Sequence, residues 1–310
     1  MCGIVGFLDK RPKPKQPVGQ TLLAMLQALS CRGPDSAGVA IYGPKQPYWI
    51  VQVKLPETGS LEQSAAKVLH ALQGDAEVLC HHQTGSYLRL EVERNIEPAA
   101  LEEMILKRIP GTEVVSLGHQ LEIVKQVGSP RQLEESYGIS KKIGRHGIGH
   151  TRLSTESKVD LSHSQPFWAH GVADLATVHN GHITNYHKLR RQYEQRGRRF
   201  FTDNDSEVIG VYLQDRLSQG MTLLDAICSS IEDFDGSFSY LVAGGDGMAY
   251  VRDRYGLKPL VIAETNDFVA IATEEIALRQ ALGTDFEAKE PPPGSLSIWS
   301  IPSEKAVPVG

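Results

Sequence analysis

Residues 3–8 (GIVGFL) are apolar, broken only by glycine, which predicts a short buried strand. The Lys- and Pro-rich stretch 10–20 reads as a loop. Over 21–30 (TLLAMLQALS) leucine and methionine recur at helical spacing, and Arg32-Gly33-Pro34-Asp35 ends that helix with a turn. A strand pattern follows at Ser36–Tyr42. Between 47 and 140 the texture changes. Strands are predicted over 48–54, 77–82, 87–93, 113–117 and Leu121–Val127, with helices at Leu61–Leu72, at Pro98–Arg108 and after Ser129-Pro130. The order β-α-β-β-α-β fits a ferredoxin-like split βαβ unit with one strand added. From 147 the first texture returns. Strands are expected at 147–151, 175–179, 237–243, 248–252, 259–262 and 268–273, and helices at 183–196, 207–217 and 274–282. Such runs, without strict βαβ alternation, predict antiparallel sheets flanked by helices.

Composition narrows the class. The 310 residues suffice for one or two domains. The net charge of −5 argues against a general nucleic-acid binder. Four cysteines make no disulfide framework, and Cys31, Cys80 and Cys228, beside apolar residues, are expected to be core thiols. No apolar run approaches the roughly 20 residues of a membrane span, and the N-terminus lacks a signal-peptide core. A cytoplasmic protein with no membrane partner is the expectation. His81-His82 and His119 match no zinc spacing, and adjacent strand histidines point to opposite faces, so no metal is expected. Gly244-Gly245-Asp246-Gly247 reads as a hairpin turn and not a phosphate loop. The five arginines between 190 and 199 read as a solvated helix end or as a patch for an acidic partner.

The candidate chemistry begins at Cys2. Removal of Met1 would leave a thiol and a free α-amine on one residue, and the amine, titrating near 8, could serve as a built-in base. Arg152, after the strand at 147–151, offers a planar fork for a carboxylate. Asn180-Gly181 reads either as a turn or as two donors for an oxyanion. Asp205-Ser206-Glu207 reads either as an acidic helix start or as a carboxylate for an ammonium group.

Taken together, these motifs resemble the class-II glutamine amidotransferases, a family of N-terminal nucleophile hydrolases. The resemblance is carried by Cys2-Gly3-Ile4-Val5-Gly6, Arg32-Gly33-Pro34-Asp35-Ser36-Ala37-Gly38 and Gly149-His150-Thr151-Arg152. It continues through Ser164-Gln165-Pro166-Phe167, His179-Asn180-Gly181, residues 200–207 (FFTDNDSE), Asp235-Gly236-Ser237-Phe238, 252–260 (RDRYGLKPL) and Ala272-Thr273-Glu274-Glu275. They fall in family order over 1–43 and 147–300. The resemblance implies a four-layer αββα sandwich over 1–310, with an inserted α+β subdomain at 44–146. It implies Cys2 as nucleophile, Asn180 and Gly181 as oxyanion hole, Arg152 for the glutamine α-carboxylate and Asp205 for its α-ammonium. Arg32 completes the binding set by supporting the N-terminal residue.

The implied activity is hydrolysis of L-glutamine through a Cys2 γ-glutamyl thioester, with no cofactor. Leu153-Ser154 departs from the Trp-Ala that often follows the family arginine. No motif of a second catalytic domain is present, so ammonia is expected to pass to a synthase subunit in a hetero-oligomer. The resemblance is to free-standing subunits of glutamate-synthase-related and N-methylglutamate synthase systems. The insert would contact that subunit or cover the ammonia exit, or else be a decorative insertion. The rival readings are a hydrolase of another amide and a non-catalytic assembly or regulatory subunit that keeps the fold.

Overall fold

Prolines and short polar side chains set many element boundaries. The protein is described by a computed structural model covering residues 2–56, 59–154 and 158–301. Strand β1 (Gly3–Asp9) leads to α1 (Val18–Ala28), which starts directly after Pro17, and to β2 (Ser36–Tyr42). Next come β3 (Trp49–Lys54), α2 (Leu61–Leu72), β4 (Val78–Thr84), β5 (Tyr87–Val92), α3 (Pro98–Arg108) and β6 (Glu113–Gly118). Ser60 caps α2 through Gln63, and Pro98 opens α3 at a position that needs no N–H. Then follow β7 (Leu121–Val127), α4 (Pro130–Tyr137), β8 (His146–Arg152), β9 (Phe167–Trp168) and β10 (Ala176–Ile183). A capping box between Ser129 and Gln132 starts α4, and left-handed Gly138 ends it. The last third holds α5 (Tyr186–Gln195), α6 (Glu207–Ser218), α7 (Leu223–Asp233), β11 (Gly236–Gly244) and β12 (Gly247–Arg252). It closes with β13 (Val261–Glu264), β14 (Phe268–Ala272), α8 (Glu275–Leu282), β15 (Ala288–Lys289) and β16 (Leu296–Ser300).

A seven-stranded sheet, ordered β15-β13-β14-β1-β8-β2-β7, faces a five-stranded sheet ordered β16-β12-β11-β10-β9. β1 and β8 of the first pack on β10, β11 and β12 of the second. Helices α1, α4 and α8 cover the outer face of the first sheet, and α6 and α7 that of the second, with α5 packed on α6. The layers are therefore α, β, β, α. Both central sheets are coated on two faces, which is why β1, β2 and β8 are buried at every position rather than alternating. Leu22 and Leu26 of α1, which packs on β1 and β8, are fully buried. Removal of such a side chain costs about 2–5 kcal/mol.

The segment after β2 forms a third sheet, ordered β4-β5-β3-β6 and antiparallel throughout, with α2 and α3 against it. This is the split βαβ arrangement. The expected additional strand behaves differently. β7 pairs with β2 along its whole length, from Ser36↔Val127 to Tyr42↔Leu121, and so belongs to the main sheet. α4 packs on β7, β2 and α1. The 44–146 boundary thus takes in two elements of the sandwich. Local periodicity identifies a strand but not its partner, and β7 follows β6 after only two residues.

Two further expectations are corrected. Cys31, Cys80 and Cys228 are exposed. Cys31 lies in the turn after α1, Cys80 on the edge strand β4 and Cys228 on α7, places where apolar sequence neighbours do not bury the thiol. The strand ending at Asn180-Gly181 instead continues to Ile183, paired with Gly236. Gly244–Gly247 is the expected two-residue hairpin, with Gly244 opposite Gly247. No described helix is long and apolar enough to cross a membrane.

Candidate active site

The register of the central strands brings the chemistry to one end of the sandwich. β1 pairs with β8 so that Gly3 lies opposite Thr151, which sets Cys2 beside the Arg152 end of β8. From the facing sheet β10 delivers His179, Asn180 and Gly181, and the α5–α6 connection delivers 203–206. Together they enclose a cleft of about 310 Å³, with Cys2, Arg152, Gly181 and Asp205 in its lining.

Cys2 is half-buried, with its Sγ 3.8 Å from the Leu153 carbonyl that accepts its hydrogen bond. Burial pushes the thiol above its usual pKa, against the smaller opposing effects of that bond and of the Arg152 charge. At neutral pH the thiol is protonated, so its use as a nucleophile requires a base. Met1, whose removal would free the α-amine, lies outside the described residues. Arg32 donates from Nε to the Cys2 carbonyl at 3.3 Å and pairs through Nη1 with Glu274. It braces Cys2 from behind and is not among the residues lining the cleft.

Arg152 is 4% exposed. Its Nη1 donates to the Lys158 carbonyl at 2.7 Å and its Nη2 to Ser154 Oγ at 3.4 Å. Burial lowers its pKa, while Cys2, Asp160, Asp35 and Asp203 act the other way; a guanidinium in this setting stays charged. Asp205 Oδ2 accepts from the Ile183 N–H at 2.9 Å and lies 3.5 Å from His182 Nδ1. The Arg152 guanidinium and the carboxylates of Asp203 and Asp205 thus share the cleft, charges of both signs that suit the zwitterionic head of an amino acid.

Asn180 is buried just behind the lining, and its Nδ2 has no hydrogen-bond partner among the described residues. Leaving a buried amide unpaired costs about 1–3 kcal/mol, so this donor is one that a further group would satisfy. Gly181 has φ of +138°, and a Cβ there would stand 2.2 Å from the Ser237 carbonyl oxygen. Only glycine fits.

Sequence reasoning assigned no role to Gln165, His179 and Ser206, although all three sit within the quoted motifs. Ser206 Oγ receives Gln165 Nε2 at 2.9 Å and meets His179 Nδ1 at 2.8 Å. Gln165 Oε1 accepts from the His179 N–H at 2.6 Å. Burial keeps His179 below its usual pKa, so it is neutral near pH 7. Glu207 spends its carboxylate on the N–H groups of Phe201 and Thr202 and so shapes the 200–207 loop. In the arginine-rich stretch, Arg190 holds the Thr202 carbonyl and Arg196 and Arg198 hold Asp215, so these three brace the same region. No group of three or more metal-capable side chains occurs among the described residues.

Gly38 of β2 supports this network from below, because a Cβ there would stand 2.2 Å from the Gln165 carbonyl oxygen. Gly38→Ala is expected to lower stability by about 1–3 kcal/mol through overpacking. It should also reduce glutamine turnover. A thermal melt together with an ammonia-release assay checks both effects.

Comparison with known proteins agrees with this geometry. A sequence model described as "glutamine amidotransferase domain" matches residues 150–280. A putative glutamine amidotransferase of Methanothermobacter thermautotrophicus is 36% identical, over 97% of this chain and 100% of its own length. The glutamine amidotransferase-like protein GlxB of Rhizobium meliloti is 33% identical, over 96% of this chain and 98% of its own. The solved glutamine phosphoribosylpyrophosphate amidotransferase of B. subtilis superimposes with a TM-score of 0.64 at 21% identity, over 96% of this chain and 47% of that one. That likeness establishes the fold, a four-layer αββα sandwich, and the two full-length relatives establish more: the chain belongs to the class-II glutamine amidotransferases.

Proposed function

We propose that the cleft binds L-glutamine and hydrolyses it at Cys2. The observation that carries this reading is the gathering of a thiol, a guanidinium and a carboxylate in one cleft, with an unpaired amide directly behind it. Arg152 takes the substrate α-carboxylate and Asp205 its α-ammonium. The Cys2 α-amine accepts the thiol proton as sulfur attacks the carboxamide carbon. Asn180 Nδ2 and the Gly181 N–H receive the resulting oxyanion. The proton passes to the leaving nitrogen, ammonia departs, and water cleaves the thioester to glutamate.

Ammonia from this site serves an acceptor on a separate synthase subunit, of the glutamate-synthase or N-methylglutamate-synthase kind. The mature protein from its native host is expected to lack Met1 by intact mass.

Recognition and chemistry are separable by experiment. Arg152→Lys keeps the charge but loses the fork, and Asp205→Asn loses the ammonium's counter-charge. Each should raise KM for glutamine roughly 10- to 100-fold, the equivalent of one charged hydrogen bond. Acylation of Cys2 by a reactive amide without an amino-acid head should slow much less. Equal losses with both reagents would mean that these residues maintain the site without reading the substrate.

A further inference from the structure

The split βαβ sheet meets the cleft wall at the Ser162 hydroxyl. Lys54, the last residue of β3, and Glu113, the first of β6, are cross-strand partners. Between their side chains sits Ser162, from the connection of β8 to β9. Lys54 Nζ donates to Ser162 Oγ at 2.9 Å, and Ser162 Oγ donates to Glu113 Oε2 at 2.5 Å. The other Glu113 oxygen lies 3.9 Å from Nζ of Lys125 on β7, which is 2% exposed and stands over the Phe167 ring. A lysine and a glutamate facing each other across a ladder pair directly without help. A serine hydroxyl placed between them instead ties a third segment to both charges.

That segment reaches both halves of the proposed head pocket. Next to Ser162, His163 bonds Asp160 Oδ1 through Nδ1 and Asp203 Oδ1 through Nε2, each at 2.7 Å. Asn204 Nδ2 donates to the His163 carbonyl at 3.2 Å. Asp203 and Asn204 line the cleft and lead into Asp205. In the other direction along the same connection, the Lys158 carbonyl accepts from Arg152 Nη1. The Lys54–Ser162–Glu113 clamp therefore holds a wall that braces Arg152 on one side and the 203–205 segment on the other. Cys2 directly precedes β1, and Asn180 and Gly181 stand on β10; the clamp bonds to none of the three.

We propose that Ser162, Lys54 and Glu113 are positioning residues for the amino-acid head of the substrate, so that the inserted sheet sets the affinity for glutamine and not the rate of the chemical step. The proposal rests on the reading of the cleft as a glutamine site. A shift of the insert relative to the sandwich would then reach the substrate through this hydroxyl.

The test is steady-state hydrolysis by the full chain carrying Ser162→Ala, with Ser162→Thr as the conservative control. Ser162→Ala is expected to raise KM for L-glutamine roughly tenfold, the size of one charged hydrogen bond, and to leave kcat within about twofold. Ser162→Thr should restore most of the affinity. The labelling rate of Cys2 by a small electrophile without an amino-acid head should match wild type. Glu113→Gln should show the same split, and Lys54→Gln carries the test if either of the others fails to accumulate. An unchanged KM in these variants overturns the proposal, as does a parallel fall of kcat and labelling rate, the mark of general damage. A wild-type chain without glutamine hydrolysis would refute the reading of the cleft itself, which is a different result from an active wild type whose KM ignores the clamp.

Discussion

Cys2→Ala is expected to lower glutamine hydrolysis by roughly 10⁴-fold or more, because no thioester can form without the thiol and no other residue can substitute for it. The remaining cysteines sharpen the test. Cys31, Cys80 and Cys228 are exposed while Cys2 is half-buried with a raised pKa, so a general alkylating agent will mark those three first. A glutamine-shaped diazoketone should reverse that order, because Arg152 and Asp205 would hold its head while its reactive carbon meets Cys2. Excess L-glutamine should protect Cys2 and leave the other three labelled at their usual rate. Modification of Cys31, Cys80 or Cys228 by the diazoketone, with Cys2 untouched, would sink the assignment.

Asn180→Ala is the second large effect. It removes one of the two proposed donors to the oxyanion and should cost roughly 10²–10³ in kcat, with KM little changed. The same change should leave stability intact or raise it, because Nδ2 has no partner to lose among the described residues and a buried unpaired amide opposes folding. A loss of turnover with a preserved melting temperature separates an oxyanion donor from a packing residue. If kcat were unchanged, the oxyanion would have to be held elsewhere. Gly181→Ala is a poorer probe, since the Cβ would collide with the Ser237 carbonyl and disturb the β10–β11 ladder at once.

The members of the candidate site were legible in the sequence because they sit in short motifs, where residue identity matters more than periodicity. Cys2, Arg152, Gly181 and Asp205 meet in one cleft, although they come from four separate stretches of chain. Arg32 and Asn180 lie just behind it, the first against the Cys2 carbonyl. Elements with capping signals were placed to the residue, as at Leu61–Leu72 and Pro98–Arg108. Helix α7 went unread although Thr222 accepts from the Asp225 N–H, a capping signal visible in the sequence. β9 and β15, at two residues each, are too short to show a period. Pairing partners were the larger loss. Nothing local in Leu121–Val127 says that it leaves the sheet of its sequence neighbours for β2. Nor does Asn180-Gly181 reveal that its glycine keeps the strand running instead of turning it.

The place where the chain leaves and re-enters the main sheet bears on how the molecule assembles. Tyr42 and Leu121 are direct partners in the β2–β7 ladder, and within the insert Ile50 lies opposite Gly118. In an unfolded chain, bringing Tyr42 to Leu121 means closing a loop of nearly eighty residues, and loop-closure entropy makes such distant contacts slow to form. Once the inserted sheet has folded, its own first and last strands already stand side by side, and the gap left to close is a few residues at each end. Early folding of the insert would turn the β2–β7 pairing into something close to a local hairpin. The insert would then act as an internal template for the sheet edge, an effect on the order of folding events that exists whatever the subdomain touches in the finished protein.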